Sequence, residues 1–193
     1  KDINMSTDSN FLKITINAGS TFAAVCAYHP FRTGASRVMA GMPLVINPVQ
    51  LYAGFVPSVA GSHQLFIMSS VYQAMSSKYS TFVAAVFAGL ASTPTTTYCD
   101  VLTIRKQTAI SLPINSINMA LRGLIPTAFR QIGLTFGCFV FPSWIERKLS
   151  TNSPFSKTEM PKAFYSFIGG ATGAVLTHYP DTCRVVMQSN PHM

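Results

Sequence analysis

A chain of 193 residues with 48% hydrophobic and only 10% charged residues lacks the charge that coats an ordinary soluble domain, where about a quarter of residues are charged. Its net charge of +8 sits on scattered lysines and arginines at the ends of apolar stretches, not in a basic run. That sets nucleic-acid binding aside and suits anionic phospholipid head groups, or simply the points where helices leave a membrane. No Asp, Glu, Lys or Arg occurs between Arg37 and Lys78, Lys78 and Asp100, Arg130 and Glu146, or Lys162 and Asp181. Each gap holds about the 20 apolar residues that cross a bilayer core, the alternative being a soluble bundle with buried helices. The cysteines Cys26, Cys99, Cys138 and Cys183 form no CxxC pair and read as lone buried thiols, small hydrophobes rather than a disulfide framework or zinc site.

The expected elements run as follows. Lys1 to Asn10 is polar and shows no secretory-signal pattern. A first apolar segment extends from Phe11 to His29, with Gly19, Ala23 and Ala24 as a small-residue face, and Pro30 ends or kinks it. A turn-rich stretch with Gly41, Pro43 and Pro48 leads to a second segment from Pro57 to Met75. The third starts near Tyr79, carries a threonine-rich kink around Pro94 and ends at Arg105 and Lys106. The fourth runs from Pro126 to Lys148. Ser150 to Lys162 reads as a loop broken by Pro154 and Pro161, and Ala163 to Gln188 as a fifth segment with Gly169, Gly170 and Gly173 on its small face. No sixth segment follows. The order of helix, proline, charge, Gly/Pro connector and helix appears twice and begins a third time, dividing a single membrane domain 1–193 into repeats 1–78, 79–149 and an incomplete 150–193.

Five stretches carry a family resemblance. His29-Pro30-Phe31-Arg32 through Arg37, Thr93-Pro94 with Asp100 through Gln107, and Tyr179-Pro180-Asp181-Thr182-Cys183-Arg184 through Gln188 resemble the three Pro-x-acid-x-x-base signatures of mitochondrial carriers. Leu121 through Gln131, with Arg122-Gly123 and Pro126, is similar to that family's aromatic-basic-glycine segment and the start of its fourth helix, and Leu51 through Pro57 is the weaker counterpart. The matches fall in order beside apolar segments and span nearly the whole chain. The resemblance implies an all-α integral membrane protein of helical-hairpin repeats, with about five transmembrane helices and short amphipathic connectors, in the mitochondrial inner membrane. It also implies no enzymatic activity, no cofactor, and a gate of interhelical ion pairs that opens because such pairs near water are individually weak.

The sequence departs from the pattern where that gate belongs. Arg32 stands where an acid is expected and Ala35 where a base is expected, while Thr103 replaces the base after Asp100. Asp100 with Arg184 is then the one regular pair. Asp181 is left to Arg32 or Arg37, and a solvated or lipid-facing helix end is the alternative for those two arginines. The opposite gate keeps only Glu146, Arg147 and Lys148 against an uncharged Tyr72-Gln73. Arg130-Gln131 falls where carboxylate carriers place an arginine and an amide, so a bidentate grip on a substrate carboxylate is implied, with snorkelling to head groups as the alternative. The turns at Tyr52-Gly54 and Arg122-Gly123 imply bound cardiolipin, or glycine capping alone.

Two functions follow. Lost gate charges, short connectors, one candidate binding charge and an open sixth-helix side point to a structural or accessory subunit of a larger inner-membrane complex, respiratory for example, whose other subunits cover the open side together with lipid. The alternative is an active carrier exchanging small carboxylate anions by alternating access.

Overall fold

The computed structural model describes residues 22–23, 25–109, 117–150 and 159–190. Among these every regular element is helical. The first helix, α1, covers 25–39 and continues past Pro30, so the proline does not end it. Proline cannot donate to the carbonyl four residues back. That carbonyl belongs to Cys26, and the Tyr52 hydroxyl donates to it at 3.2 Å. The early part of the first expected segment, Phe11 to Thr21, lies outside the described residues.

Two short helices, α2 (Pro48–Leu51) and α3 (Phe55–Gly61), precede α4 (Gln64–Ser76). The second expected segment is thus broken at Ser62 and His63, where side chains compete for the backbone: Ser62 Oγ donates to Val59 O at 2.6 Å and His63 Nδ1 meets Ala60 O. The third segment is one 27-residue helix, α5 (Thr81–Gln107), with Pro94 inside it. A four-residue α6 (Ile117–Ala120) leads to α7 (Leu124–Thr135), a π-helical turn Phe136–Val140, and α8 (Phe141–Ser150). The last helix, α9 (Glu159–Ser189), has 31 residues and Pro180 inside it. It starts before the end of the loop expected up to Lys162.

Helices packed against one another follow chain order: α3 and α4 on α5, α5 on α7, and α7, the π turn and α8 on α9. Small residues set the closeness of these crossings. A Cβ on Gly89 of α5 would lie 2.8 Å from the Ile132 backbone of α7, and one on Gly137 would lie 2.8 Å from Gly173 Cα of α9.

A second relation occurs twice. Gly54 and Gly123 both have positive φ, 77° and 80°, and each opens a helix whose third residue is proline. A Cβ on Gly54 would meet Thr103 O of α5 at 2.7 Å, three residues past Asp100. A Cβ on Gly123 would meet the side chains of Gln188 and of Arg184, three residues past Asp181. Both glycines therefore have a conformational and a packing reason to be there.

The interior is polar and the exterior apolar. Buried side chains include Thr33, Thr96, Thr97, Thr103, Gln107, Thr127, Gln131, Thr135, Arg184 and Gln188, and polar residues outnumber apolar ones in the described core. Outside, Ile46 is 89% exposed, Val175 76%, Phe31 75% and Phe167 73%. Cys138 is exposed and the other three thiols half-buried, so the expectation of buried thiols fails. Among the described residues one stretch, Ile117–Lys148, is long and apolar enough to cross a membrane, against about five expected. Long α5 and α9 fall short in apolarity because they carry threonines, glycines and His178; several of the threonines, among them Thr93, Thr96, Thr97 and Thr177, are buried, while His178 is exposed.

Candidate functional site

The site forms where α1, α5, α7 and α9 converge. Hydroxyls and amides set the frame. Thr33 Oγ1 donates to Leu51 O at 2.7 Å and accepts from Gln107 Nε2 at 3.1 Å, which fixes α1 against α5 and the turn before α3. Seven residues past Asp181, as Gln107 is past Asp100, Gln188 Nε2 donates to Arg122 O at 3.0 Å. His29 Nε2 meets Ala53 O at 3.1 Å, its ring stacked on Tyr52. The candidate lipid residues Tyr52, Gly54, Arg122 and Gly123 are thus all engaged within the chain.

Within this frame stand five charges. Arg32 on α1 meets Asp100 Oδ1 on α5 at 2.5 Å and donates through Nη1 to Ser58 Oγ at 3.0 Å. The other Asp100 oxygen takes Arg184 Nη1 of α9 at 2.9 Å and Arg130 Nη1 of α7 at 3.4 Å. Arg130 Nε also reaches Asp181 Oδ1 at 3.1 Å. Arg184 grips the same Asp181 oxygen with Nη2 at 2.6 Å and Nε at 3.0 Å. The two centres of the network, Asp100 and Arg184, are buried to 5% and 2% exposure.

The expected pair of Asp100 with Arg184 is present. The expectation that Asp181 turns to Arg32 or Arg37 is corrected: its partners are Arg184 and Arg130. Arg32 pairs with Asp100 instead. Arg37 stands outside the network, donating to Pro43 O at 3.0 Å and Gln107 O at 2.9 Å. Five residues past Arg32, it lies about 140° further round α1 and faces another way.

The five charges line one side of a cavity of about 560 Å³, bounded also by Tyr28, Ser58, Ser62, Gln64 and Thr96. Arg130 faces this cavity, as expected for a cavity-facing arginine. Gln131, expected beside it as a ligand residue, is fully buried and donates through Nε2 to Gln64 Oε1 at 2.5 Å. Thr96 Oγ1 donates to the same oxygen at 3.2 Å. Sequence reasoning misses this amide brace between α4, α5 and α7. Its one signal is Gln64, a lone amide opening an apolar run. Ser58 is missed too. The Tyr72 ring stacks on Phe139 with centroids 4.8 Å apart, an aromatic contact between α4 and the π turn.

Chemically the arrangement joins four helices by shared ion pairs, three guanidiniums to two carboxylates among the described residues. No family model matches the chain, and no curated protein matches it either.

Proposed function

We propose that the chain is a carrier-like helical bundle of the mitochondrial inner membrane, held closed by its five-charge network and acting as a structural or accessory subunit of a larger membrane complex. The observation that carries this reading is the position of Arg130. The group expected to take a substrate carboxylate instead bridges Asp100 and Asp181. A buried charge held by several partners is expensive to release, because breaking one such pair leaves an uncompensated charge.

Membrane embedding is supported by the inverted arrangement of polar interior and apolar exterior, since an exposed large apolar surface is the informative departure from a soluble protein. The repeat reading is supported by the matching placement of Gly54 and Gly123, Pro57 and Pro126, and Gln107 and Gln188. Partner subunits are supported by an apolar groove on the outer side of α1, lined by Pro30, Phe31, Val38, Leu44 and Leu51. Cardiolipin at the Tyr52–Gly54 and Arg122–Gly123 turns belongs to the same reading.

One observation favours the alternative, exchange of small carboxylate anions: the cavity is roomy and its charged lining is net positive. Reconstitution separates the two. Purified chain in cardiolipin-containing liposomes is expected to show no exchange of labelled dicarboxylates, and the chain in its native membranes is expected to migrate on native gels far above 20.9 kDa. Robust uptake that disappears in Arg130→Ala sinks the structural reading. Migration as a lone chain sinks it as well.

A further inference from the structure

The charges that line the cavity do not balance. Among the described residues, Arg32, Arg130 and Arg184 face Asp100 and Asp181, which leaves one positive charge. Asp181 and Arg184 form a close pair within α9, and Asp100 is shared among three guanidiniums. Arg130 also shares Asp181 at 3.1 Å, so the excess is spread over the network, and the guanidiniums that line the cavity and keep open surface to meet it are Arg32 and Arg130, with side chains 19% and 16% exposed against 2% for Arg184. A low-dielectric interior penalises an uncompensated charge heavily. Arginine does not relieve that penalty by losing its proton, since it stays charged in proteins.

The uncharged lining of the same cavity offers donors. Ser58 Oγ already accepts from Arg32 and retains its own proton to give. Gln64 lines the cavity with its oxygen taken by Gln131 and Thr96, which leaves its NH₂ as a donor. Guanidinium, hydroxyl and amide NH₂ together recognise an anion.

We propose that this cavity holds one small monovalent anion, of the halide or short-carboxylate class, on Arg32 and Arg130 as a resident counter-charge. It completes the neutrality of the closed network. A single negative charge fits an excess of one. The proposal rests on reading the five charges as a lock, and it adds that the lock is closed only with its anion.

The test is thermal unfolding of the full chain in nanodiscs of neutral lipid, at constant ionic strength, with chloride, formate, sulfate or gluconate as the sodium salt. Chloride or formate at a hundredfold excess over Kd is expected to raise Tm by about 5–10 °C in a saturable way, with sulfate and gluconate inert. Arg32→Gln balances the cluster and is expected to abolish that rise, whereas Arg32→Lys preserves it. Equal stabilisation by all four salts, or an unchanged chloride shift in Arg32→Gln, overturns the proposal. Should neither variant fold, the wild-type salt series decides by itself. A chain indifferent to anions that still loses stability in Asp100→Asn keeps the lock and refutes the anion.

Discussion

Asp100 and Asp181 look alike in the sequence, each following a proline in a long helix, yet they hold unequal places. Asp100 is nearly buried and binds Arg32, Arg130 and Arg184, while the Asp181 side chain keeps 28% exposure and binds two of the three. Asp100→Asn strands three guanidiniums with one remaining carboxylate and is expected to cost about 3–5 kcal/mol. Asp181→Asn leaves every arginine of the network still paired with Asp100 and is expected to cost about 1 kcal/mol, as for a partly exposed pair. Thermal unfolding of the two variants in the same detergent checks this, and equal losses contradict the network's asymmetry. The resemblance to the Pro-x-acid-x-x-base signatures makes Asp100 and Arg184 legible as partners. It does not reveal that Arg130 joins them, because that depends on how closely α7 crosses α5, which no local pattern encodes. Arg37 departs from expectation for a simpler reason: nearness to Arg32 in the sequence hides its rotation around the helix.

Among the elements, crossings are set by glycines whose roles differ sharply. Gly137 sits in the π turn with Gly169 and Gly173 of α9 against it, so an added methyl meets backbone, which has nowhere to go. Gly170, one position along α9 from Gly169, has nothing within 4 Å of the place an added methyl would take. Gly137→Ala is therefore expected to destabilise by about 1–3 kcal/mol through overpacking. Gly170→Ala is expected to be neutral or to stabilise by up to about 1 kcal/mol through helix propensity. Unfolding midpoints of the pair test the crossing, and a benign Gly137→Ala refutes it. The charge-free gaps and small-residue faces are enough to place α5, α7 and α9. They do not show the break at Ser62 and His63, which side-chain bonds to nearby carbonyls accompany, nor the π turn, since Phe136-Gly137-Cys138-Phe139-Val140 reads as ordinary apolar helix. The threonine-rich centre of α5 around Pro94 lies within one continuous helix. Its hydroxyls satisfy carbonyls of the preceding turn, with Thr93 Oγ1 donating to Gly89 O at 2.8 Å and Thr97 Oγ1 to Thr93 O at 2.8 Å.

At the scale of the whole molecule, many threonines of α5 are buried, while large apolar residues such as Phe82 and Phe87 of α5 and Val175 and Leu176 of α9 stand exposed. Composition alone makes the helical class legible. It does not show this division, because which face of a helix is covered depends on its neighbours. The division also provides the sharpest test of membrane embedding. Val175 lies near the middle of α9 and is 76% exposed. On a water-facing surface, Val175→Asp is a surface change expected to stay within about 0.5 kcal/mol. Facing hydrocarbon at the centre of a spanning helix, an aspartate costs about 2.5–3.5 kcal/mol on insertion scales. Outward-facing Phe167, at 73% exposure and about two turns away, provides a second position for the same substitution. If lipid surrounds α9, both variants lower the amount of chain that resists alkaline extraction from membranes, and both lower its unfolding midpoint in liposomes. Their effects also ease when the substitution moves to Tyr179, closer to the charged end of the helix, because the cost of a charge falls with distance from the bilayer centre. A chain that leaves the membrane on alkaline extraction, and whose stability is indifferent to an aspartate at Val175, is not embedded there, whatever the apolarity of its surface.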